Sequence, residues 1–497
     1  MLTGKPLYTI EQIRYLERAA LDSGVEMLDL MTHAGAGAFH TLKAKWPHAK
    51  QILVLVGAGN NGGDGCVVAK LAQHDGLDVR IYTVGDMNNL PETAHWAYET
   101  CVHSGVDISP FSPEKSFAAD VIVDALLGIG INGEVRPPYR DAIDAINQAG
   151  KPVLAIDVPS GLHADSGSKL GSTVIANATQ TFIGLKQGFY TGAGRECCGE
   201  IFLEELHIDK AFFSTINPVS ELLEANDFCP WMPRRAKNAH KGDFGHVLVI
   251  GGDSGMAGAV RMAAEAAARV GAGLVSLATR VEHAACITAS RPELMTHAVN
   301  KPKDLIPLLA KATVVVIGPG LGRQNWGEAL WNALFDCELP MVVDADALHW
   351  LAASTVKANI NAQRNWIITP HPGEAASLLD TTTTAITHNR FYAARELQKR
   401  FGGVAVLKGN GTLVADSEHP IAVCGAGNPG MASGGMGDVL SGVLGGLLAQ
   451  GLSLVDAARL GVLLHAVAAD RAAQEGGERG LLALDVIKKL RGVLNDV

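Results

Sequence analysis

The sequence has no paired cysteine spacing. Its eight cysteines (Cys66, Cys101, Cys197, Cys198, Cys229, Cys286, Cys337 and Cys424) form no CxxC and no Cys/His ligand pattern. Neither a structural zinc site nor a disulfide framework is expected, and buried thiols in a reducing compartment are. Basic charge is also in deficit: the net charge is −10 and the isoelectric point about 5.9. Bulk charge therefore gives no pull toward nucleic acid. Long apolar runs are missing too. The most membrane-like stretch, VLSGVLGGLLA at 439–449, is followed by Gln450 and Asp456 and falls short of the ~18–20 residues that a span needs. It reads as the buried helix of a large core. The opening MLTGKPLYTIEQIRYLERAA has no apolar centre, because Glu11, Arg14, Glu17 and Arg18 interrupt it, so it does not read as a signal peptide. A cytoplasmic protein without membrane or nucleic-acid partners is expected. No short-period repeat is visible.

What is there is a globular composition. The 497 residues are 47% hydrophobic and 19% charged, with 56 glycines, which excludes disorder and implies many tight turns. At ~100–200 residues per domain, two to four domains are expected. Short β-branched runs ending in glycine or acid mark buried strands within 51–65, 78–85, 120–130, 152–161 and 178–184, with helical patterns at 64–74, 91–104 and 138–149. That alternation predicts a parallel sheet with helices on both faces, whose ligands bind beyond the carboxyl ends of the strands. Strand signals fade after about 206. The stretch 213–242, with Pro218, Pro230, Pro233, Arg234, Arg235, Lys237 and Lys241, reads as a linker plus the entry to a second domain, and its basic cluster as a solvated linker face rather than a nucleic-acid patch. A second alternating series follows at 246–252, 273–279, 312–322, 340–348, 365–370, 404–415 and 419–425, closed by the glycine-rich 431–449.

In the first half, GAGNNGGDG (57–65) lies between a strand and a helix. Its backbone N–H groups could face a phosphate, although glycines there also serve sterics alone. Asp64 would repel a phosphate and could simply cap the helix. Asp124 and Asp157 both end buried strands, where acids suit a cation or a proton to be moved; capping of the next helices is the plainer alternative. DVPSGLH (157–163) holds Asp157, Ser160 and His163 close together, but its serine is not in GxSxG and triad members meet in space rather than in sequence. Ser160 reads better as a turn or ligand residue.

Taken together, GNNGGDG, VDALLGIGINGE (123–134) and AIDVPSGL (155–162) resemble the NAD(P)HX epimerase domain. The resemblance covers residues 1–215 and implies a Rossmann-like three-layer sandwich. It implies a potassium ion held by Asn61, Asp124 and Ser160. Hydrated cofactor would lie along Asn60, Asn61, Gly62, Gly63 and Asp64, and along Gly128, Ile129, Gly130, Ile131, Asn132, Gly133 and Glu134. Asp157 would contact the ring and carry the proton transfer at C6.

In the second half, MASGGMGDVLSGVLGGLLA (431–449) puts glycines and Asp438 at the mouth of an apolar helix. Unpaired N–H groups and the helix dipole make an anion hole there, and a carboxylate beside it can take a proton from a hydroxyl while a phosphoryl group is stabilised. The alternative is a packing glycine run with Asp438 as a cap. LKGNGTLVA (407–415) predicts strand, tight turn and strand, with Lys408 placed for phosphate. TPHPGEAASLL (369–379) offers His371 as a substrate contact and Glu374 for a magnesium-bound water, unless Glu374 is an ordinary first-turn acid. GPGLG (318–322) allows close approach of a ligand at Gly322, and DADAL (344–348) reads as simple capping.

HKGDFGHVLVIGG, GPGLG, DADAL, TPHPGE, KGNGT and SGGMGD together resemble the ADP-dependent NAD(P)HX dehydratase, a ribokinase-like family. The resemblance covers roughly 225–497, in a domain expected to span 216–497. It implies that Lys408, Gly409, Asn410, Gly411, Thr412 and Gly437 bind the adenine nucleotide with magnesium. Ala259, Gly322, His371 and Asp438 would contact hydrated cofactor, with Asp438 as the base. A homo-oligomer is the expected assembly. Two rivals stand beside this reading: a ribokinase-like small-alcohol kinase with an accessory N-terminal nucleotide-binding domain, and an N-terminal half that only binds or scaffolds.

Overall fold

The structure is a computed structural model that describes residues 4–224, 232, 234–355 and 364–495. The chain divides into one compact unit of Pro6–Ser220 and another of Glu221–Val497 with Met1–Lys5.

The first unit is built on seven parallel strands in the order Asp107–Pro110, Asp78–Val84, Gln51–Gly57, Val121–Ala125, Val153–Ile156, Ala178–Phe182 and Glu200–Glu204. Alternate residues of Gln51–Gly57 feed two separate cores: Ile52, Val54 and Val56 on one face, Leu53 and Leu55 on the other. The central strands Gln51–Gly57, Val121–Ala125 and Val153–Ile156 are apolar along most of their length because both faces of the sheet are covered there. The order reverses between Gln51–Gly57 and Val121–Ala125, and an open parallel sheet binds its ligands beyond such a switch. There the helix Asn60–His74 begins four residues ahead of the predicted 64. A Cβ on Gly62 would lie 2.0 Å from the Gly57 carbonyl oxygen, so only glycine lets the helix start against the strand end. Two helices precede the sheet, Ile10–Asp22 and Met27–Lys45. The first carries a capping box between Thr9 and Gln12.

The second unit centres on seven parallel strands in the order Met295–Ala298, Leu274–Thr279, His246–Ile250, Val314–Ile317, Met341–Val343, Trp366–Ile368 and Val404–Leu407, continued by antiparallel Thr412–Ala415 and Ile421–Cys424. The predicted strand–turn–strand at 407–415 is thus a hairpin. The apolar stretch 439–449 lies within the helix Met436–Ala449 and is buried along its length. A Cβ on Gly442 would sit 1.9 Å from the Ala263 carbonyl, which is how closely this helix approaches Ala257–Arg269. Among the described residues no helix is long and apolar enough to cross a membrane.

The stretch 213–242, read as a linker plus the entry to a second domain, contains the start of the second unit at Glu221 and more regular structure than the sequence signals. A short helix, Lys210–Phe213, a strand, Ser220–Leu223, and a 3-10 turn, Lys241–Phe244, occur in or beside it; 225–231 and 233 lie outside the described residues. The strand SELL is too short for its period to show in sequence. Long-range partners define it instead: Glu221 accepts from the Gly4 N–H (2.8 Å) and pairs with the fully buried Arg459 (2.5 Å).

Candidate active sites

In the first unit a cavity of about 480 Å³ opens beyond the strand ends. It is lined by Asn60, Asn61, Asp64, Gly128–Ile131, Asp157 and Lys186, with Arg14 and Glu17 supplied by the first helix. Three separate loops highlighted by the sequence therefore converge on one space. Asn132, Gly133 and Glu134 are exposed and lie outside that lining; Gly62 and Gly63 also lie outside it, buried in the packing of the helix start.

Asp124 is fully buried at the end of its strand. Its Oδ1 accepts from Ser160 Oγ (2.6 Å) and its Oδ2 from the Ser160 N–H (2.8 Å). Burial pushes its carboxyl up to about 6, against the pull of these hydrogen bonds. Asn61 is buried with both carboxamide atoms unpartnered. The orphaned Asn61 Oδ1 and the buried Asp124 carboxylate, which has no ion-pair partner among the described residues, are the kind of oxygens that a monovalent cation would satisfy. Ser160 thus gives its hydroxyl proton to Asp124, whereas His163 Nδ1 accepts from the Ser166 N–H (3.2 Å). The Asp157–Ser160–His163 proximity in sequence is not a triad.

Asp157 adopts a left-handed φ of 65°, a strained conformation for a non-glycine residue that clusters at functional sites. Its Oδ1 accepts from Lys186 Nζ at 2.8 Å and its Oδ2 from the Ile129 N–H at 3.3 Å. Nearby, burial, then Asp157 and Glu17, raise Asp64 well above the usual carboxylate range. Glu17 rises for the same first reason and through Asp157, opposed by Arg14 and Lys186. The site therefore combines an ion-paired carboxylate with two acids biased toward their protonated forms, which is how environments sort bases from acids.

In the second unit the centre is Asp344, read from sequence only as a cap. It is 1% exposed and accepts from Lys408 Nζ (2.7 Å), Thr369 Oγ1 (2.7 Å) and Ser441 Oγ (2.6 Å). Although burial favours its neutral form, the Lys408 ammonium and these hydrogen bonds hold it below the usual carboxylate range. Three strand ends and the helix Met436–Ala449 are thereby tied together. Lys408 also lies 3.7 Å from Glu374, and a Cβ on Gly437 would be 3.3 Å from its Nζ, so the lysine borders the helix mouth. Asp438, in the first turn of that helix, is pushed up to about 7 by burial and then by Asp344, against the attraction of Lys408. A carboxylate tuned near neutrality is suited to general-base work.

His371 caps the helix Pro372–Leu379: its Nδ1 accepts from the Gly373 and Glu374 N–H groups, and Glu374 Oε2 accepts the His371 N–H in return (2.7 Å). That leaves His371 Nε2 as the proton-bearing nitrogen. Gly322, at φ 79°, donates to Asp346 (3.0 Å) and has Asp253 against it. Ala259 packs on the same loop, its Cβ 3.2 Å from the Cβ position of Gly320. Beneath the 408–412 turn, buried Arg390 donates to the carbonyls of Leu407, Lys408 and Gly411. Sequence reasoning passed over Lys186, Arg390 and Ser441. For Lys186 the available signal was a lone lysine just after the apolar strand TQTFIG; Arg390 and Ser441 left none.

Comparison with known proteins follows the same division. A family model described as NAD(P)H-hydrate dehydratase matches residues 247–491, and one described as YjeF-related protein N-terminus matches 27–188. The chain is 52% identical to the bifunctional NAD(P)H-hydrate repair enzyme of Coxiella burnetii, over 98% of this chain and 99% of that one. It is 43% identical to the enzyme of the same description from Escherichia coli K12, over 98% and 93%. Among solved structures, a hypothetical protein of Streptococcus mutans is similar at 26% identity and a TM-score of 0.51, covering 55% of this chain and 99% of that one. A ribokinase-like superfamily protein of Enterococcus faecalis shares the fold at 24% identity and a TM-score of 0.51, over 56% and 97%.

Proposed function

The chain belongs to the family of bifunctional NAD(P)H-hydrate repair enzymes, and from that membership we propose how its two units divide the repair of hydrated NADH and NADPH. The N-terminal unit, within 1–215, interconverts the R and S epimers at C6. The C-terminal unit, within 216–497, dehydrates the S epimer at the expense of ADP. The observation that carries the second assignment is Asp438, tuned to about 7 at a glycine-rich helix mouth beside Lys408.

In the C-terminal site the nucleotide lies against Lys408–Thr412 and Gly437. Hydrated cofactor meets Ala259, Gly322, His371 and Asp438. Asp438 takes the proton of the C6 hydroxyl as its oxygen attacks the terminal phosphorus of ADP, and AMP leaves. The C6–O bond then breaks with loss of a C5 proton, which restores the dihydropyridine and releases phosphate. Phosphorylation turns a poor leaving group into a good one. Magnesium, which takes one or two carboxylates plus phosphate oxygens, would neutralise the phosphates when bound, and Glu374 would order a water on it.

In the N-terminal site, Asn61, Asp124 and Ser160 would hold potassium; the orphaned Asn61 carboxamide oxygen supports this. Asp157 takes the C6 hydroxyl proton, the C6–N1 bond opens to leave an aldehyde at C6 and its electron pair on N1, delocalised into the conjugated carboxamide, and N1 recloses on the other face of the aldehyde as Asp157 returns the proton to oxygen. Substrate lies along Asn60, Asn61, Asp64 and Gly128–Ile131, the members of the two loops that line the cavity. We assign the chain to the cytoplasm, acting on small molecules, and to a homo-oligomeric state, to be read by sedimentation.

The test is recovery of absorbance at 340 nm from mixed R and S hydrated NADH, with magnesium, potassium and ADP or ATP. Recovery beyond the S share, corrected for spontaneous epimerisation, supports both activities. Recovery limited to the S share removes the epimerase, and a retained phosphorylated product points to a small-alcohol kinase.

A further inference from the structure

The N-terminal site contains a fully buried cation that no assignment so far uses. Lys186 follows the strand Ala178–Phe182 and has no exposed side-chain surface. Its ammonium has three protons and three acceptors: Asp157 Oδ1 at 2.8 Å, Thr181 Oγ1 at 2.6 Å and the Phe182 carbonyl at 2.9 Å. With every proton committed within the protein, Lys186 has none to offer a ligand. What it does is fix one oxygen of Asp157. The other oxygen, Oδ2, has only the long 3.3 Å bond from the Ile129 N–H. It stands where a Cβ on Gly128 would be 3.2 Å away, on the rim of the cavity. The backbone adds to this aim: Asp157 sits at φ 65° with its N–H bonded to the Gln180 carbonyl (2.7 Å). Lys186 is itself tied on both sides, since Tyr8 N–H donates to the Leu185 carbonyl (2.8 Å) and Gln187 N–H to the Tyr8 carbonyl (3.2 Å).

We propose that Lys186 is the positioning residue of the epimerase site, holding Asp157 by Oδ1 so that Oδ2 alone faces the C6 hydroxyl and moves its proton. The inference rests on the N-terminal unit being the epimerase. A rigid donor on one carboxylate oxygen fixes the rotamer of the other, and misplacement of a reacting group by about 1 Å costs on the order of 100-fold in rate.

The experiment uses the full chain and R-hydrated NADH, with epimers separated chromatographically and the spontaneous rate subtracted. Lys186→Met is expected to lower epimerase kcat about 100-fold with KM within about threefold, because orientation rather than ground-state binding is lost. Lys186→Arg is expected to recover at least about tenfold of that loss. Dehydration of the S epimer by the other unit is expected to stay at the parent rate. Removing a buried partner can unfold a protein, so Thr181→Val, close in shape and lacking one acceptor of the ammonium, serves as a second variant with an expected kcat loss of about tenfold. A parent protein that does not interconvert the epimers overturns the epimerase reading itself. A parent that does, with Thr181→Val and a folded Lys186→Met both within threefold of its kcat, overturns the positioning role. So does a loss that appears in KM alone, or one that arginine does not relieve.

Discussion

Replacing Asp438 by asparagine should make the protein more stable and nearly inactive. Burial, followed by Asp344, raises this carboxyl from an ordinary 3.8 to about 7 in the folded state. A raised carboxylate pKa means that the folded protein keeps a proton which the unfolded chain has released, anywhere between about pH 4 and 7. Stability therefore declines as pH rises through that window, and above pH 7 the ionised Asp438 exerts its full cost. About three pH units at about 1.36 kcal/mol each set a ceiling of about 4 kcal/mol. Asp438 keeps partial exposure, and solvent screening reduces this to roughly 2 kcal/mol. Asparagine carries no charge to desolvate, so Asp438→Asn should melt about 4–8 °C above the parent at pH 8, at about 2–4 °C per kcal/mol. The gap should narrow toward pH 5. The same change should lower kcat for dehydration of the S epimer by about 10²–10⁴, the usual worth of a positioned base. Calorimetric melts at the two pH values, with 340 nm rates alongside, read both halves. A variant that melts at or below the parent at pH 8, or one that keeps its kcat, would refute the idea of a base held near neutrality by burial.

Other expectations follow from the same geometry. With saturating ADP and magnesium, parent dehydration should fall about tenfold from pH 8 to pH 6 as Asp438 takes up its proton; a flat pH–rate profile opposes this. Lys408→Met strands the buried Asp344 carboxylate and should destabilise the second unit by about 3–5 kcal/mol, much of it restored by adding Asp344→Asn, as a urea-melt cycle would read. Replacing potassium by a large organic cation should slow epimerisation while leaving the epimerase cavity folded, and Asn61→Leu should abolish that potassium dependence. Arg390→Met leaves three hairpin carbonyls without their donor and should raise KM for ADP several-fold.

Motifs were legible in sequence wherever chemistry sits on adjacent residues. GNNGGDG, VDALLGIG and DVPSG marked three loops at strand ends, and all three contribute residues to one cavity because parallel strands deliver their carboxyl ends to the same edge. The helix mouth at 435–438 was readable for the same reason. Asp344 was visible but misjudged: nothing local distinguishes a capping acid from one whose partners, Lys408 and Ser441, lie 64 and 97 residues away. The strand Ser220–Leu223 was missed because four residues carry no period, and its partners Gly4 and Arg459 are over 200 residues distant.

By itself, then, the sequence determined the two α/β layouts, the strand-end loops and the residue types available for proton transfer, since periodicity and turn chemistry are local properties of a chain. Only the tertiary structure decided which acids are charged and which way they point. Lys186 holding Asp157, Lys408 holding Asp344, and burial lifting Asp64, Asp124 and Asp438 depend on distance and desolvation. Those quantities exist only once remote segments have been brought together and water excluded.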